Sequence, residues 1–493
     1  MGKNKKLLYT SILLFLSLGV TFFINRGMFS AFLMLFLLMG GVFWILNHYK
    51  KLTKTLSFIL CLSFLIHFFL VIFIYYTDFR PFGGGADYEG YQLVAEQTAQ
   101  QFLKGDFSWK NLNHYGHDFP IIIGAIYYIF GSDHLVGIFF EVWIFVMAVL
   151  FAYFIVLELG GSEKKAFYIG LFMNFYPSYA YFGSLLLKDG LVVSLALLGV
   201  LLVTKMVKKF SWNWFLLFFA VTIGVSDLRF YVGYALILGF IVSWFISSSL
   251  EFKERFYFGL ALVFLIGFSP FLAGQGYFGY NALLGPGGGF LNQNKITEFR
   301  EVVYNPAVFP EQTTPSPASS EIISPFNAGK ISPLPTSILN GKDNPLNGRG
   351  SSFVVETGFQ QGLIKFIENS LQSFAHTLLG PFVWQLRYGR QLSSLIETIP
   401  WYIFICIFIY FLGGLLKKEK LAGFWMYLKK TAPLWSFSIF ALGALSLFIN
   451  NYGIIARIRM PMFICLIIMM SLIIKKEYKY TKHIINRSVE MTK

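Results

Sequence analysis

The stretch 135-LVGIFFEVWIFVMAVLFAYFIVLE-158 decides the fold class of this 493-residue chain. Only two of its residues are charged, Glu141 and Glu158. An apolar run of 18 or more residues is long enough to cross a bilayer as a helix. Similar runs recur along the chain, of which 13% is charged, against about 25% in soluble proteins. The sequence therefore predicts an all-α polytopic membrane protein.

Twelve segments have the length and composition of a transmembrane helix. The predicted spans are 7–24, 28–47, 56–77, 135–158, 166–183, 190–205, 212–226, 230–249, 257–274, 396–415, 432–449 and 459–475. The run "PIIIGAIYYIF" (120–130) is too short to cross and predicts an interfacial or half-inserted helix. The first span lacks a small-residue cleavage site, so we expect an uncleaved anchor. Cys61, Cys406 and Cys465 lie in apolar runs and are interpreted as small core hydrophobes.

The net charge of +15 is explained by membrane topology. If the N-terminus is inside, the interior segments and their flanking helix ends carry 24 of the 40 Lys and Arg residues. They carry only 7 of the 25 acids. Cytoplasmic loops collect Lys and Arg in this way. The pattern argues against nucleic acid as a partner and predicts a plasma-membrane protein with both termini in the cytoplasm.

This topology divides the chain into four parts. Residues 1–55 form an N-terminal helical pair and a basic loop, and 56–274 form a membrane core with an outer loop at 78–134. A second outer loop, 275–395, is rich in Pro, Ser and Asn at 305–350, which predicts flexibility, and then regains the periodicity of an interfacial helix. Residues 396–493 hold the last spans and a basic tail.

Several charged residues lie inside apolar runs or at their ends, where an ionisable group is costly and therefore a functional candidate. They are Glu141, Lys188, Asp189, Asp227, Arg229, Glu397, Arg457 and Arg459. All except Glu141 fall near predicted outer helix ends. They could reach the interface or pair with one another, or they could converge on one polar cavity open to the outside. The sequence leaves both interpretations open.

The stretch "FRPFGGGADYEGYQLVAEQ" (79–97) interrupts the apolar pattern. Its three glycines permit unusual backbone conformations and close approach to a ligand. We expect Asp87 on a turn just before a short interfacial helix, where its carboxylate could act as a general base. Alternatively, Asp87 caps that helix and Glu89 is a solvated surface acid.

The order of motifs resembles the GT-C superfamily of integral-membrane glycosyltransferases, which includes protein O-mannosyltransferases and lipid A aminoarabinose transferases. Asp87 and Tyr91 in "ADYEGY" fit the Asp-x-x-x-Tyr pattern often found in that superfamily's first outer loop. The segment "HDFPIIIGAIYYIFGSDHLVGIFFEVW" follows in the expected place, and Asp189 in "GSLLLKDGLVV" stands where an acid opens a later helix. As a pattern, the resemblance covers most of residues 56–475.

The resemblance implies a sugar donor linked to polyprenyl phosphate and a reaction on the outer face of the membrane. Asp87 would be the catalytic base that deprotonates the acceptor hydroxyl, and Tyr91, Glu89 and Asp189 would contact substrate. The acceptor could be a glycan, a lipid or a protein. Some branches of the superfamily use a divalent metal, which Asp87 with Asp189 could hold. No ligand spacing in this sequence requires one, so the cofactor is left unassigned.

Direct displacement at the anomeric carbon also needs stabilisation of the departing phosphate. The available cations are Lys188, Arg229, Arg387, Arg390, Arg457 and Arg459. Arginine suits phosphate because its planar fork donates two hydrogen bonds at once. We rank Arg229 with Arg457 or Arg459 first, because they lie at helix ends. Each arginine could instead serve topology or an ion pair.

Two other functions fit parts of the pattern. A polysaccharide polymerase or ligase would also have about a dozen spans and a long outer loop, and it would depend on outer-loop arginines and His376 rather than on Asp87. A transporter would bind its substrate near the bilayer midplane through broken helices, often in repeated halves. Here only Glu141 is deep, and no repeat is visible.

Overall fold

A computed structural model describes residues 26–79, 85–108, 111–113, 117–268, 277–280, 296, 361–385 and 394–473. In these residues the regular structure is helical, without a β-strand. The helices are α1 (Arg26–His48), α2 (Lys54–Thr77), α3 (Gly85–Leu103), α4 (Phe119–Phe130), α5 (His134–Glu158), α6 (Glu163–Phe175), α7 (Pro177–Phe182), α8 (Asp189–Lys208), α9 (Trp212–Leu228), α10 (Phe230–Ser247), α11 (Phe252–Ile266), α12 (Leu363–Leu379), α13 (Leu395–Lys430), α14 (Ala432–Phe448), α15 (Tyr452–Ile458) and α16 (Met460–Ile473).

The predicted fold class is confirmed by these helices. Within the described ranges, six are long and apolar enough to cross a membrane, namely α1, α2, α5, α8, α10 and α13, and the bent pair α15–α16 would make a seventh. The shorter apolar helices are α4, α9 and α14. The expected total of twelve spans stays a prediction. The first predicted span (7–24) and the Pro-rich stretch 305–350 lie outside the described residues.

Two predicted span boundaries are wrong. The segment 166–183 is not one helix but α6 followed by α7, with Tyr176 between them in an extended conformation. A residue that precedes proline avoids the helical region, and Pro177 therefore sets this break. After the segment 396–415 the helix continues to residue 419, breaks at Lys420, where φ is 55° and ψ is −172°, and resumes up to Lys430. The predicted interior loop 416–431 is therefore mostly helical.

The cysteines also differ from expectation. Cys465 is buried as predicted, but Cys61 and Cys406 are exposed on α2 and α13. The apolar composition of a transmembrane helix does not identify which of its faces meets the protein interior, since lipid accepts the same side chains.

The chain forms two compact units. The first comprises residues 1–80, 84–150 and 180–191. Within it, helix ends that the sequence assigns to the outer side lie together. The backbone of Gly27 at the start of α1 lies against the Asp133 carboxylate just before α5. The Tyr75 ring near the end of α2 lies 6.3 Å from the His134 ring. These contacts agree with the predicted alternation of the spans.

The second unit comprises residues 81–83, 151–179 and 192–493. Helix ends assigned to the interior lie together in it. Lys208 Nζ is 3.5 Å from Glu158 Oε2, and the Ser249 hydroxyl donates to the Lys208 carbonyl at 2.8 Å. Ser247 donates to the carbonyl of Lys429 at 2.6 Å. The predicted interior segments thus share one side of this unit.

Candidate active site

Helix α3 is fixed to the first unit by one buried face. Tyr88, Tyr91, Val94 and Thr98 recur at helical spacing and are all buried. Helix α4 packs against this face at Gly124, where a β-carbon would clash with the Thr98 side chain. The small residue lets the two helix backbones approach closely, so α3 is held in a defined position.

Asp87 lies in the first turn of α3, and its side chain is exposed. The expectation that Asp87 precedes the helix is wrong, because α3 already begins at Gly85. An acid in the first turn is favoured by the helix dipole, which places partial positive charge at that end. Glu89, two residues later, is also exposed and accepts a hydrogen bond from the Tyr88 hydroxyl at 3.3 Å.

Tyr91 is buried in the first unit rather than presented beside Asp87. Its hydroxyl lies 3.3 Å from His117 Nε2, and its ring contacts Phe119 edge-on at 5.3 Å. These contacts tie α3 to the segment that begins α4. Tyr91 therefore positions the helix that carries Asp87, and direct contact between Tyr91 and substrate stays a prediction.

A polar network on α3 and α4 was not predicted from the sequence. The Tyr127 hydroxyl donates to Gln92 Oε1, and the Gln92 amide donates to Glu96 Oε1. Burial, together with the negative charges of Glu96 and Asp133, raises the pKa of Tyr127 well above its usual range. The spacing of Gln92 and Glu96, one helical turn apart, is the signal that could have indicated this network.

Two of the charged residues selected from the sequence come together at the start of α8. Asp189 is the first residue of α8 and is 2% exposed. Glu141, two turns into α5, is fully buried, and its carboxylate oxygens have no hydrogen-bond partner among the described residues. The carboxyl of Glu141 lies against Gly190, where a β-carbon would clash with it. The half-buried Lys188 directly precedes this pair.

Arg459 and Glu397 form a buried ion pair in the second unit. Arg459 is 2% exposed, and its Nη2 donates to Glu397 Oε1 at 2.9 Å. Its Nη1 donates to the carbonyl of Gly380 at 2.7 Å. Glu397 also accepts from the Tyr176 hydroxyl at 2.8 Å and from the Ser178 hydroxyl. For these two charges, the expectation that the residues pair with one another describes the structure.

Arg229 and Arg457 are placed differently from Arg459. Arg229 ends α9 and begins α10, with φ −154° and ψ 88°, and it is half-buried. Asp227, also half-buried, lies in the last turn of α9. Arg457 lies in the last turn of α15 and is half-buried too. Arg387 and Arg390 lie outside the described residues.

A contact between a histidine and a tyrosine joins α12 to α15 in the second unit. His376 Nδ1 lies 2.7 Å from the Tyr452 hydroxyl, and burial lowers the pKa of His376. Sequence spacing could not have shown this contact, since the two residues are far apart in the chain. Among the described residues, no group of three or more His, Cys, Asp or Glu side chains could hold a metal ion, and the metal stays unassigned.

Comparison with known protein families gives a match over part of the chain. Residues 119–273 match the family model described as dolichyl-phosphate-mannose-protein mannosyltransferase. The matched segment runs from α4 beyond α11 and contains Glu141, Asp189 and Arg229, whereas Asp87 precedes it. No curated protein and no solved structure matches the chain. The match confirms the resemblance to GT-C glycosyltransferases and supports a glycosyltransferase of that type.

Proposed function

Taking the matched segment as that of a GT-C glycosyltransferase, we propose that this protein transfers a sugar from polyprenyl phosphate to an acceptor hydroxyl on the outer face of the membrane. The family match over residues 119–273 carries the proposal, because the family's description names a lipid-phosphate-linked sugar as donor. The acceptor is a glycan, a lipid or a protein of the cell surface. The bilayer supplies the donor, which agrees with the multi-pass apolar helices.

The proposed reaction is a single displacement. The Asp87 carboxylate accepts the proton of the acceptor hydroxyl as that oxygen forms a bond to the anomeric carbon. The bond between this carbon and the phosphate oxygen breaks, the electron pair leaves with the lipid phosphate, and the configuration inverts. Asp87 suits this role because its side chain is exposed while the helix behind it is fixed by Tyr91 and Gly124.

Stabilisation of the leaving phosphate is assigned to Arg229 and Arg457. Both are half-buried at helix ends, where a guanidinium can offer two parallel hydrogen bonds to phosphate oxygens. The guanidinium of Arg459 is almost fully buried and binds Glu397 and the Gly380 carbonyl. We therefore move Arg459 from the phosphate-binding candidates to the scaffold. Arg387 and Arg390 keep their place as second-rank candidates.

Asp189 and Lys188 are assigned to substrate binding at the start of α8. Asp189 lies within the matched segment, as the resemblance anticipated for the acid that opens this helix. A carboxylate there can accept hydrogen bonds from sugar hydroxyls, and the lysine can neutralise phosphate charge. Glu141 is fully buried and lies against Gly190 in this turn. We therefore assign Glu141 to positioning the start of α8.

The lipid-linked sugars of the membrane test this function. Cells that lack the protein should accumulate a polyprenyl-phosphate sugar and lose the corresponding sugar from a surface glycan, lipid or protein. Mass spectrometry of extracted polyprenyl phosphates measures the first effect, and restoring the gene should reverse it. Normal levels of these lipids together with unchanged surface sugars would contradict a transferase. Accumulation of a longer lipid-linked oligosaccharide would instead indicate a polymerase or ligase.

A further inference from the structure

Helix α12 has the reverse polarity of a surface helix in a water-soluble protein. Its buried residues are polar, and they are Asn369, Ser373, His376 and Thr377. Its exposed large apolar residues form one stripe, and they are Leu363, Ile364, Ile367 and Leu371. Successive members of this stripe are separated by one, three and four positions, which places them on one side of an α-helix. The helix thus turns its apolar face away from the protein.

Contacts within the second unit fix this orientation. The Ser373 hydroxyl donates to the carbonyl of Ser446 on α14 at 2.6 Å. His376 Nδ1 lies 2.7 Å from the Tyr452 hydroxyl on α15. Buried polar groups need such partners. Rotating the helix to bury the apolar stripe would break both contacts, so the outward stripe is a stable property of the fold.

The stripe is strongly exposed and lies on a single convex helix. Ile364 is 85% exposed, Leu363 73% and Leu371 65%. Fully burying a Leu or Ile side chain is worth about 1.5–3 kcal/mol relative to leaving it in water. Four such side chains therefore favour a surrounding hydrocarbon phase. A bound isoprenoid chain would instead call for a concave lining, and residues exposed to this extent do not provide one.

Helix α12 contacts a helix that is long enough to cross the membrane. Trp401 Nε1 on α13 donates to the carbonyl of Leu378 near the end of α12 at 2.9 Å. On α13, Ile396 is 66% exposed and Ile403 is 56% exposed. Because α13 is a candidate membrane span, its exposed apolar side chains meet lipid. Helix α12 is therefore bound to a helix that carries lipid-facing side chains.

We propose that α12 lies in the membrane interface with the stripe of Leu363, Ile364, Ile367 and Leu371 among the acyl chains of bilayer phospholipids. Interfacial helices bury their apolar face about 5–10 Å into this boundary. Lys365 and Glu368 form an ion pair at 3.0 Å, and Gln372 is exposed directly beside Leu371. These polar residues mark the edge that faces the headgroups. The proposal does not depend on the glycosyltransferase function.

Spin labels on the full-length protein test this placement. Cys61 and Cys406 are first replaced by Ser, since both are exposed. A single label is then introduced by Leu371→Cys or, as the matched control one residue away, by Gln372→Cys. The variants are reconstituted into vesicles of phosphatidylethanolamine and phosphatidylglycerol. Accessibility to oxygen, which concentrates in hydrocarbon, is compared with accessibility to the water-soluble nickel chelate NiEDDA.

The label at position 371 should show a higher ratio of oxygen to nickel accessibility than the label at position 372. Equal and high nickel accessibility at both positions would place the stripe in water and overturn the proposal. Protection of position 371 from both reagents, with dipolar broadening between labels, would show a second copy of the chain on this face and would overturn it as well. A label at Ile364 provides an independent repeat, because Ile364 belongs to the same stripe.

Discussion

Two glutamates, one in each compact unit, are buried in different surroundings. Glu397 accepts hydrogen bonds from Arg459, Tyr176 and Ser178. Glu141 is as deeply buried, but neither of its oxygens has a hydrogen-bond partner within the described part of the chain. A buried charge that loses its partner is strongly destabilising. The ion pair of Glu397 and the close packing around Glu141 each give a prediction.

The substitution Glu397→Gln should lower the free energy of unfolding by about 3–5 kcal/mol, because it leaves the buried Arg459 guanidinium without its charge partner. Glu368→Gln is the matched control, since Glu368 forms an exposed pair with Lys365. Exposed pairs contribute about 0–1 kcal/mol. Unfolding in detergent micelles measures both variants. Equal, small losses would show that the Arg459 pair contributes little to the scaffold.

The substitution Gly190→Ala should destabilise the start of α8, because the added methyl group would clash with the Glu141 carboxyl and the Phe145 ring. Overpacking of this kind costs about 1–3 kcal/mol. Gly224→Ala on α9 is the control, since its β-carbon would meet only Leu195 Cδ1 at an ordinary 3.6 Å. That control should be neutral or slightly stabilising, because alanine is the better helix former. Comparable thermal stability of both variants would refute the close contact at Gly190.

At the scale of the helices, three of the charged residues selected from the sequence lie at junctions. Asp189 begins α8, Arg229 separates α9 from α10, and Arg459 separates α15 from α16, which meet at a bend of 52°. Helix ends leave backbone groups without intrahelical partners, so a break inside a membrane span creates a polar position. Such breaks explain how a mostly apolar chain presents isolated charges.

Helix α12 gives a prediction about pH. Burial lowers the pKa of His376 below its ordinary value of about 6.5. The unfolded chain therefore binds a proton more readily than the folded protein does, and the free energy of unfolding should decline as pH falls below about 6.5. His376→Gln should weaken this dependence, whereas His48→Gln, at an exposed position on α1, should leave it unchanged. The free energy of unfolding of each variant, measured as a function of pH, tests this prediction. If its slope against pH is the same in His376→Gln as in the wild type, the effect belongs to another group.

The helices themselves were largely predictable from the sequence, because long apolar runs admit few alternatives in a membrane. Their ends were less so. The helical structure on both sides of Lys420 was missed, since charged residues at the edge of a span do not by themselves prevent a helix. The break at Tyr176 carries a sequence signal in Pro177, which the apolarity of the segment outweighed in the prediction.

The arrangement of the site was predictable only in part. The sequence identified Glu141, Asp189, Glu397 and Arg459 as functional candidates because they are charged residues in or beside apolar runs. All four side chains are buried in the structure. Their partners were not predicted, because Glu397 and Arg459 are 62 positions apart. The resemblance implies that Tyr91 contacts substrate; the structure buries its ring against Phe119, and contact with substrate stays a prediction. Helical spacing alone does not show which neighbours cover a face.

At the scale of the whole molecule, the proposed reaction requires that Asp87 and the segment after α3 face outward. Ser108→Cys, at an exposed position after α3, should react with a membrane-impermeant maleimide on intact cells. Ser249→Cys, exposed beside the end of α8, should react only after the membrane is permeabilised. Background labelling of Cys61 and Cys406 is removed by serine substitution in both variants. The reverse pattern would place Asp87 on the cytoplasmic side and contradict the proposed function.

The most direct measurement of the central claim is the rate of sugar transfer by the purified protein in proteoliposomes, supplied with the polyprenyl-phosphate sugar that accumulates in deletion cells and with membrane acceptor. Asp87→Asn should lower this rate by about 100-fold or more, the contribution typical of a general base, while the protein stays folded. Gln97→Ala, at an exposed position farther along the same helix, should transfer sugar at nearly the wild-type rate. Full activity of Asp87→Asn would contradict the account, and equal loss in both variants would show that helix α3, rather than the Asp87 carboxylate, is what transfer requires.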